Sequence, residues 1–377
     1  YEIFKVDYDN TTIDQNTKTV EIQQPDGVPD VIQQIEHGVL SIIGGYKSLG
    51  RFYRGIIVPH KRQYVLLGDA VNHSDNIDYS GDSNLRQTDI KNIEIGNAGA
   101  PDDRWVYTED NPKREMSTAA ALAAASRVLG GYNKEMAESC LEISIAIWKK
   151  TTTENPLDKV ELAVELLRTT RNDEYSRFLT DNHQIITENI ARTGWLVAPA
   201  LPLIKQKSFK VKVSKAVQGY LKEINGLEEE TGWNPINVVV APYGLVYKPN
   251  IWGAGWGIQN FGMRQYYLHT GFPEFFPKKY ILNSLNFILG VHPGINTSSF
   301  VSGVGSRSIT QAYGMNRGDF SFIPGGIGSG TALIRPNLPE LLEWPFLWQQ
   351  TEYVLGGGTT DYIFLVLAAD QLLNKKE

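Results

Sequence analysis

A carboxylate and a guanidinium, on two glycine-rich stretches near the end of the chain, are the residues best placed to do chemistry. Glu352 stands in TEYVLGGGTTDYIFLVLAADQLL (Thr351 to Leu373), just ahead of a Gly run that opens into an apolar helix. A carboxylate on a bend beside a rigid element is an acid held over a groove, the placement general acid chemistry asks for. Upstream, SFVSGVGSRSITQAYGMNRGDF (Ser299 to Phe320) sets Tyr313, Asn316 and Arg317 on a flexible backbone. Arg317 offers a fork of donors to hydroxyls or to a carboxylate, or else makes a surface ion pair. Trp252 and Trp256, in the Gly-rich IWGAGWGIQN, are expected on a loop, with flat faces free to stack on rings. Trp195 and Trp233 are weaker candidates for the same role, and Trp148, on an amphipathic helix, reads as core. Asp361 lies early in the last helix, where the helix dipole favours a carboxylate.

Other chemistries find no support. The lone Cys140 rules out an internal disulfide framework and a Cys-based metal site. The six His show no HExxH-like spacing, so a catalytic zinc is not expected. The Asp-rich stretch 69–82 offers oxygen ligands for a structural calcium but lacks an EF-hand pattern, and no other cofactor is expected. The Gly runs at 303–305 and 325–330 follow no strand and carry no Lys-Ser/Thr, which argues against a phosphate cradle. GxSxG is absent. A net charge of −6 without a basic run makes nucleic acid a poor partner. No apolar run reaches membrane-spanning length. The sequence begins at Tyr1 without Met, and reads as a mature or trimmed product.

The elements that must position these residues are mostly helices. Residues 1–27 alternate and suggest a short polar hairpin. Val31, Ile32, Ile35, Val39, Ile42 and Ile43 recur at helical spacing, and Gly44-Gly45 is expected to stop that helix. Residues 46–110 read as one long irregular stretch. Then come the Ala-rich EMSTAAALAAASRVL, the amphipathic YNKEMAESCLEISIAIWKK, and NPLDKVELAVELLRTT with Asn155 and Pro156 as start signals. Further helical patterns cover about 183–198, 209–224, 274–290, 337–350 and 360–374. Helices joined alternately by short turns and long loops suit an all-α helical barrel with function on the loops. The expected division is a polar segment, 1–27, and one helical domain, 28–377.

Four motifs, in order, carry a resemblance. DGVPDVIQQIEHGVLSII resembles the Ile-Pro-Asp-Leu-Leu-Asp-Glu helix of glycoside hydrolase family 9, and NPKREMSTAAALAAASRVLGG its Asn-Pro segment ending in Ala-Ser-Arg-Val. YILNSLNFILGVHPGINTSSFVSGVG is similar to its Tyr-Ile-Leu-Gly-Asn-Pro segment and following loop, and TEYVLGGGTTDY to Asn-Glu-Val followed by Asp-Tyr-Asn. The resemblance implies an (α/α)6 barrel that hydrolyses β-linked glucans or related sugars with inversion. That reaction needs two carboxyl groups roughly 6.5–9.5 Å apart, one to protonate the leaving oxygen and one to activate water. The acid must keep its proton near neutral pH, by burial or a nearby like charge. It falls on Glu352, and Asp361-Tyr362 falls on the family's Asp-Tyr, where Asp361 holds the loop or tunes Glu352.

Two departures qualify this. Nothing ahead of the helix near Val28 fits the Asp-Ala-Gly-Asp-Tyr motif of the base; DNIDY (Asp75 to Tyr79) imitates it on the wrong side of that helix. The base and the barrel's first helices are therefore expected upstream of this chain. The family's His-His-Arg stands here as Met315-Asn316-Arg317, which keeps the Arg and loses both imidazoles. That favours a β-glycan other than plain cellulose, with Asn316 taking over one hydroxyl contact. The expected protein is secreted or periplasmic, binds a polysaccharide or oligosaccharide, and has an oligomeric state the sequence does not reveal. Two rivals remain: a catalytically incomplete barrel that only binds glycans, and an α/α-toroid polysaccharide lyase.

Overall fold

The computed structural model describes residues 1–14, 17–57, 69–72, 105–108, 110–231, 254–291, 299, 301, 303–304, 325–327 and 357–374. The chain divides into two compact units, Tyr1–Leu179 and Thr180–Glu377.

The first unit opens with the expected hairpin, β1 (Thr11–Asp14) antiparallel to β2 (Thr19–Ile22). Asp30, the first residue of α1 (Asp30–Leu49), accepts the Asn10 and Thr11 amides at 3.0 Å each and so ties the hairpin to the helix. The Gly44-Gly45 pair does not end α1; the helix runs on to Leu49 and closes on Gly50, left-handed at φ 70°. The glycine at 45 answers a packing need instead, since a Cβ there would sit 2.6 Å from the Tyr53 ring.

The stretch read as irregular contains three strands, β3 (Tyr53–Ile57), β4 (Asp69–Asn72) and β5 (Trp105–Thr108), in an antiparallel sheet of order β3-β5-β4. The pairing spans long sequence separations, which is why turn clusters alone misread it.

Helices α2 (Pro112–Leu129), α3 (Lys134–Lys150) and α4 (Leu157–Thr170) make the core. Their starts are local chemistry. Asn111 accepts the Arg114 amide at 3.1 Å, Asn133 the Met136 amide at 3.1 Å and Asn155 the Leu157 amide at 3.2 Å. Ala119, Ala120 and Ala123 are sealed off and let α3 approach, with Ser144 Oγ 2.8 Å from the Ala119 carbonyl. Trp148 is core, as expected, its indole N–H donating to Glu174 at 2.7 Å. Arg127, at the end of α2, pairs with Glu2 at 2.8 Å and Glu165 at 2.6 Å, while Arg168 reaches the same two carboxylates at 3.2 and 2.9 Å. Burial alone would raise the Glu2 carboxyl; the Arg127 hydrogen bond and the two arginine charges outweigh it and hold Glu2 below the usual carboxylate range. A short α5 (Asp173–Asp181) follows.

In the second unit, the pattern at 183–198 is two helices, α6 (His183–Glu188) and α7 (Ile190–Val197), broken at Asn189. There the Asn189 amide donates to the Ile185 carbonyl at 2.9 Å, and Thr193 Oγ1 to the Ile186 carbonyl at 2.7 Å, in competition with the helical ladder. A 3-10 turn (Ala198–Leu203) leads to α8 (Lys207–Thr231), which buries Phe209, Val213, Val217 and Ile224.

Next comes a helix that the glycines concealed, α9 (Ala254–Gly271), then α10 (Lys279–Ile288) and α11 (Gly357–Asn374). Helix α9 packs against α7, α10 and α11. Gly262 is the point of closest approach. A Cβ there would lie 2.6 Å from Ser284 Cβ on α10 and 2.8 Å from Leu365 Cδ2 on α11. Among the described residues no helix is long and apolar enough to cross a membrane.

Candidate functional site

Two of the residues singled out from sequence, Trp256 and Asp361, are among those described. Glu352, Arg317, Asn316, Tyr313 and Trp252 lie outside the described residues, as do Trp233, Asp75 to Tyr79 and the pattern at 337–350. Trp256 is not on a loop. It is the third residue of α9, one turn before Asn260, and 40% exposed, so its indole remains open to solvent. Trp195 likewise sits inside α7 rather than at a loop start.

Asp361 is the fifth residue of α11, past the first turn, where the dipole's favour has faded. Its partner comes from another helix: Asn260 Nδ2 donates to Asp361 Oδ2 at 3.3 Å. Burial is the main influence on Asp361 and pushes its carboxyl above its ordinary 3.8, against the Asn260 hydrogen bond and the Arg264 charge, which pull it down. Tyr362 beside it is also raised by burial and stays a neutral donor.

The spacing on α9 explains the grouping. Trp256, Asn260, Arg264 and Tyr267 follow one another at helical intervals and share a face. The Arg264 guanidinium lies 5.3 Å from the Trp195 ring centroid. Tyr267 stands 5.9 Å from Trp195 and 5.6 Å from Phe364, three residues past Asp361. Tyr266 OH donates to Gln371 at 2.5 Å. The seam thus carries a half-buried carboxylate, a cation, an amide and aromatic rings, ending in an exposed indole. Such a set can bind hydroxyl-rich, ring-shaped ligands at its open end and hold the start of α11 in place at its closed end.

Asn260 and Arg264 escaped the sequence reading. Their signal was the four-residue spacing from Trp256, visible only once 254–271 is taken as a helix. The same unit has a cavity of about 450 Å³ at the other end of α9, bounded by Leu201, Pro202, Lys210, Ser214 and Phe272, away from this seam. Among the described residues, no group of three or more His, Cys, Asp or Glu could hold a metal ion.

Comparison with known proteins follows the same direction. The model of "Glycosyl hydrolase family 9" matches residues 60–315, more than half of the chain. A metagenome-derived glycoside hydrolase family 9 endoglucanase is similar in structure, with a TM-score of 0.57 and 17% identity, over 91% of this chain and 62% of that one. A family 9 protein of Bacteroides ovatus has a TM-score of 0.59 and 15% identity, over 93% and 65%. The family 9 endoglucanase J30 has 0.55 and 15%, over 91% and 64%. The chain therefore spans less than two thirds of the length of these structures. No curated protein matches. The all-α class expected from sequence, that of the (α/α)6 barrel, stands on these likenesses in fold. With more than half of its length matched by the family model, the chain belongs to glycosyl hydrolase family 9.

Proposed function

We propose that the protein is an inverting β-glycoside hydrolase acting on a β-1,4-glucan or a related β-glycan or oligosaccharide, with Glu352 as the general acid. The observation that carries the hydrolase reading is the family match over residues 60–315; Glu352 lies beyond that match, and its role rests on the resemblance of TEYVLGGGTTDY to the family's acid motif. In the reaction, water attacks the anomeric carbon from the face opposite the leaving group, the glycosidic C–O bond breaks, and Glu352 gives its proton to the departing oxygen. A separate carboxylate takes the proton of the attacking water; no residue of this chain is assigned that role.

Arg317, Asn316 and Tyr313 contact sugar hydroxyls, and Trp252 and Trp256 stack on pyranose rings. The exposure of Trp256 supports that role for it. Met315-Asn316 in place of two imidazoles favours a substrate other than plain cellulose. A polymeric substrate suits a secreted or periplasmic enzyme.

The test is a screen of β-glucans, xyloglucan and chito-oligosaccharides with the full-length protein, reading product anomers by NMR, together with Glu352→Gln. The expected result is a saturated product of inverted configuration, and loss of turnover with retained sugar binding in the variant. An unsaturated product absorbing in the ultraviolet would replace hydrolysis with a lyase reaction. Binding without turnover in the parent protein would leave only a glycan-binding barrel.

A further inference from the structure

We propose that the cavity at the far end of α9 is a binding site for an acidic sugar, a hydroxyl-rich ring that carries a carboxylate. The site is remote from the seam of Trp256 and Asp361 and does not depend on which residue is the catalytic acid.

Three helix ends build the cavity. The 3-10 turn Ala198–Leu203 contributes Pro199 and Pro202, α8 contributes Lys210 and Ser214, and the turn after α9 contributes Phe272 and Glu274. Gly271, also on its wall, is fifteen residues of helix from Trp256, about 22 Å at the usual rise.

The walls are fixed before any ligand arrives. At Gly271 the end of α9 comes so close to the 3-10 turn that a Cβ would stand 2.8 Å from Ala198 Cβ. His269 Nδ1 donates to the Phe276 carbonyl at 2.6 Å and folds the Glu274 turn back on α9. Phe272 is buried, and its amide donates to the Leu268 carbonyl at 2.9 Å. A cavity of about 450 Å³ that is already formed suits a small ligand.

Among the described residues, no hydrogen bond or ion pair engages the side chains of Lys210, Ser214 or Glu274. A lysine ammonium only donates, an ionised glutamate only accepts, and a serine hydroxyl does both. A ligand carboxylate answers Lys210, ring hydroxyls answer Glu274 and Ser214, and the apolar face of a ring lies against Pro199, Pro202 and Phe272. A bare anion such as phosphate would satisfy Lys210 but meet the like charge of Glu274.

The surrounding chain has the matching sign. From Asn189 to Lys222 it carries Arg192 and six lysines and not one Asp or Glu, in a protein of net charge −6. Lys207 precedes Lys210 by three residues and Ser214 by seven, so it shares their face of α8, and it is exposed. A local field of this kind draws anions and raises their concentration nearby. A neutral sugar would leave it without a counterpart.

The experiment is calorimetric titration of the full-length protein, at about 0.15 M salt, with trimers of galacturonate and of glucuronate, their methyl esters, and tripolyphosphate. At least one free-acid trimer should bind, and its ester, which keeps the rings and loses the charge, should bind about tenfold more weakly. Lys210→Gln should weaken the acid by about tenfold and erase its advantage over the ester. Ser214→Leu keeps Lys210 but fills the cavity, and should abolish binding of both forms. Melting curves check that each variant is folded; if Ser214→Leu is not, Lys210→Gln alone decides. The proposal is overturned if neither trimer binds the parent, or if the variants bind as the parent does. Tripolyphosphate that binds as tightly as the acid trimers and displaces them would also overturn it, leaving only a charged surface.

Discussion

Gly262→Ala sets two known effects against each other, and the structure decides which wins. In the middle of a helix, Ala is better than Gly by about 0.5–1 kcal/mol, so propensity alone favours the change. The built methyl, however, would stand 2.6 Å from Ser284 Cβ, 2.9 Å from Ser284 Oγ and 2.8 Å from Leu365 Cδ2. Carbon atoms prefer about 3.5–4.0 Å. Neither neighbour can retreat easily: both are fully buried, and Ser284 Oγ is tied to the Tyr280 carbonyl at 2.8 Å. Overpacking of this kind costs about 1–3 kcal/mol. Taking the middle of each range, the variant should be less stable by about 1 kcal/mol, which lowers the melting midpoint of a unit this size by about 2–4 °C. Gly219 on α8 is the control, since a Cβ there meets nothing within 4 Å; Gly219→Ala should gain about 0.5–1 kcal/mol. Ser284→Gly removes two of the three close contacts of the methyl, so a cycle of Gly262→Ala and Ser284→Gly should show favourable coupling of at least about 0.5 kcal/mol. The assay is thermal unfolding followed by tryptophan fluorescence. Stabilisation by Gly262→Ala equal to that at Gly219, or strict additivity in the cycle, would refute the close α9–α10–α11 approach.

Other outcomes follow from the same packing. Because the Asp361 pKa is raised on folding, its charged form costs stability; the cost is absent below about the ordinary 3.8 and complete above the folded value. Asp361→Asn should therefore melt higher than the parent at pH 7 and together with it near pH 3.5; a lower melting point at pH 7 would contradict the burial argument. Glu2 has the opposite sign: its pKa is lowered, so its stabilisation is present above the ordinary 4.5 and is lost as the pH falls through the folded value. Glu2→Gln should cost about 1 kcal/mol at pH 7, allowing for solvent screening, and nothing once the parent carboxyl is protonated; equal loss at both pH values in a melting series would rule out the ion-pair account. Gln259 is fully buried, and among the described residues neither of its amide atoms has a hydrogen-bond partner. Leaving such groups unpaired costs about 1–3 kcal/mol, so Gln259→Met, of similar volume, should be neutral or stabilising in a urea melt, and a marked loss would reveal a partner for that amide.

The sequence by itself determined the features whose causes are local. Asn111, Asn133 and Asn155 announce helix starts because a capping side chain bonds an amide two or three residues away. The buried stripe Phe209, Val213, Val217 and Ile224 marks α8 because helical periodicity is written in four-residue steps. Four motifs in register likewise anticipated the family. Glycine was misread at two places where its purpose was contact. Gly45 and Gly262 sit inside helices, the first to admit the Tyr53 ring and the second to admit Ser284 and Leu365, and from the sequence each looks like a stop or a loop. The three-stranded sheet escaped notice because its register joins residues about fifty positions apart. Only the tertiary structure brought Asn260 to Asp361 across 101 residues and lodged Arg264 on Trp195. Caps and periodicity depend on neighbours along the chain, whereas the meeting of two helices depends on how everything between them folds back, and that is decided by packing.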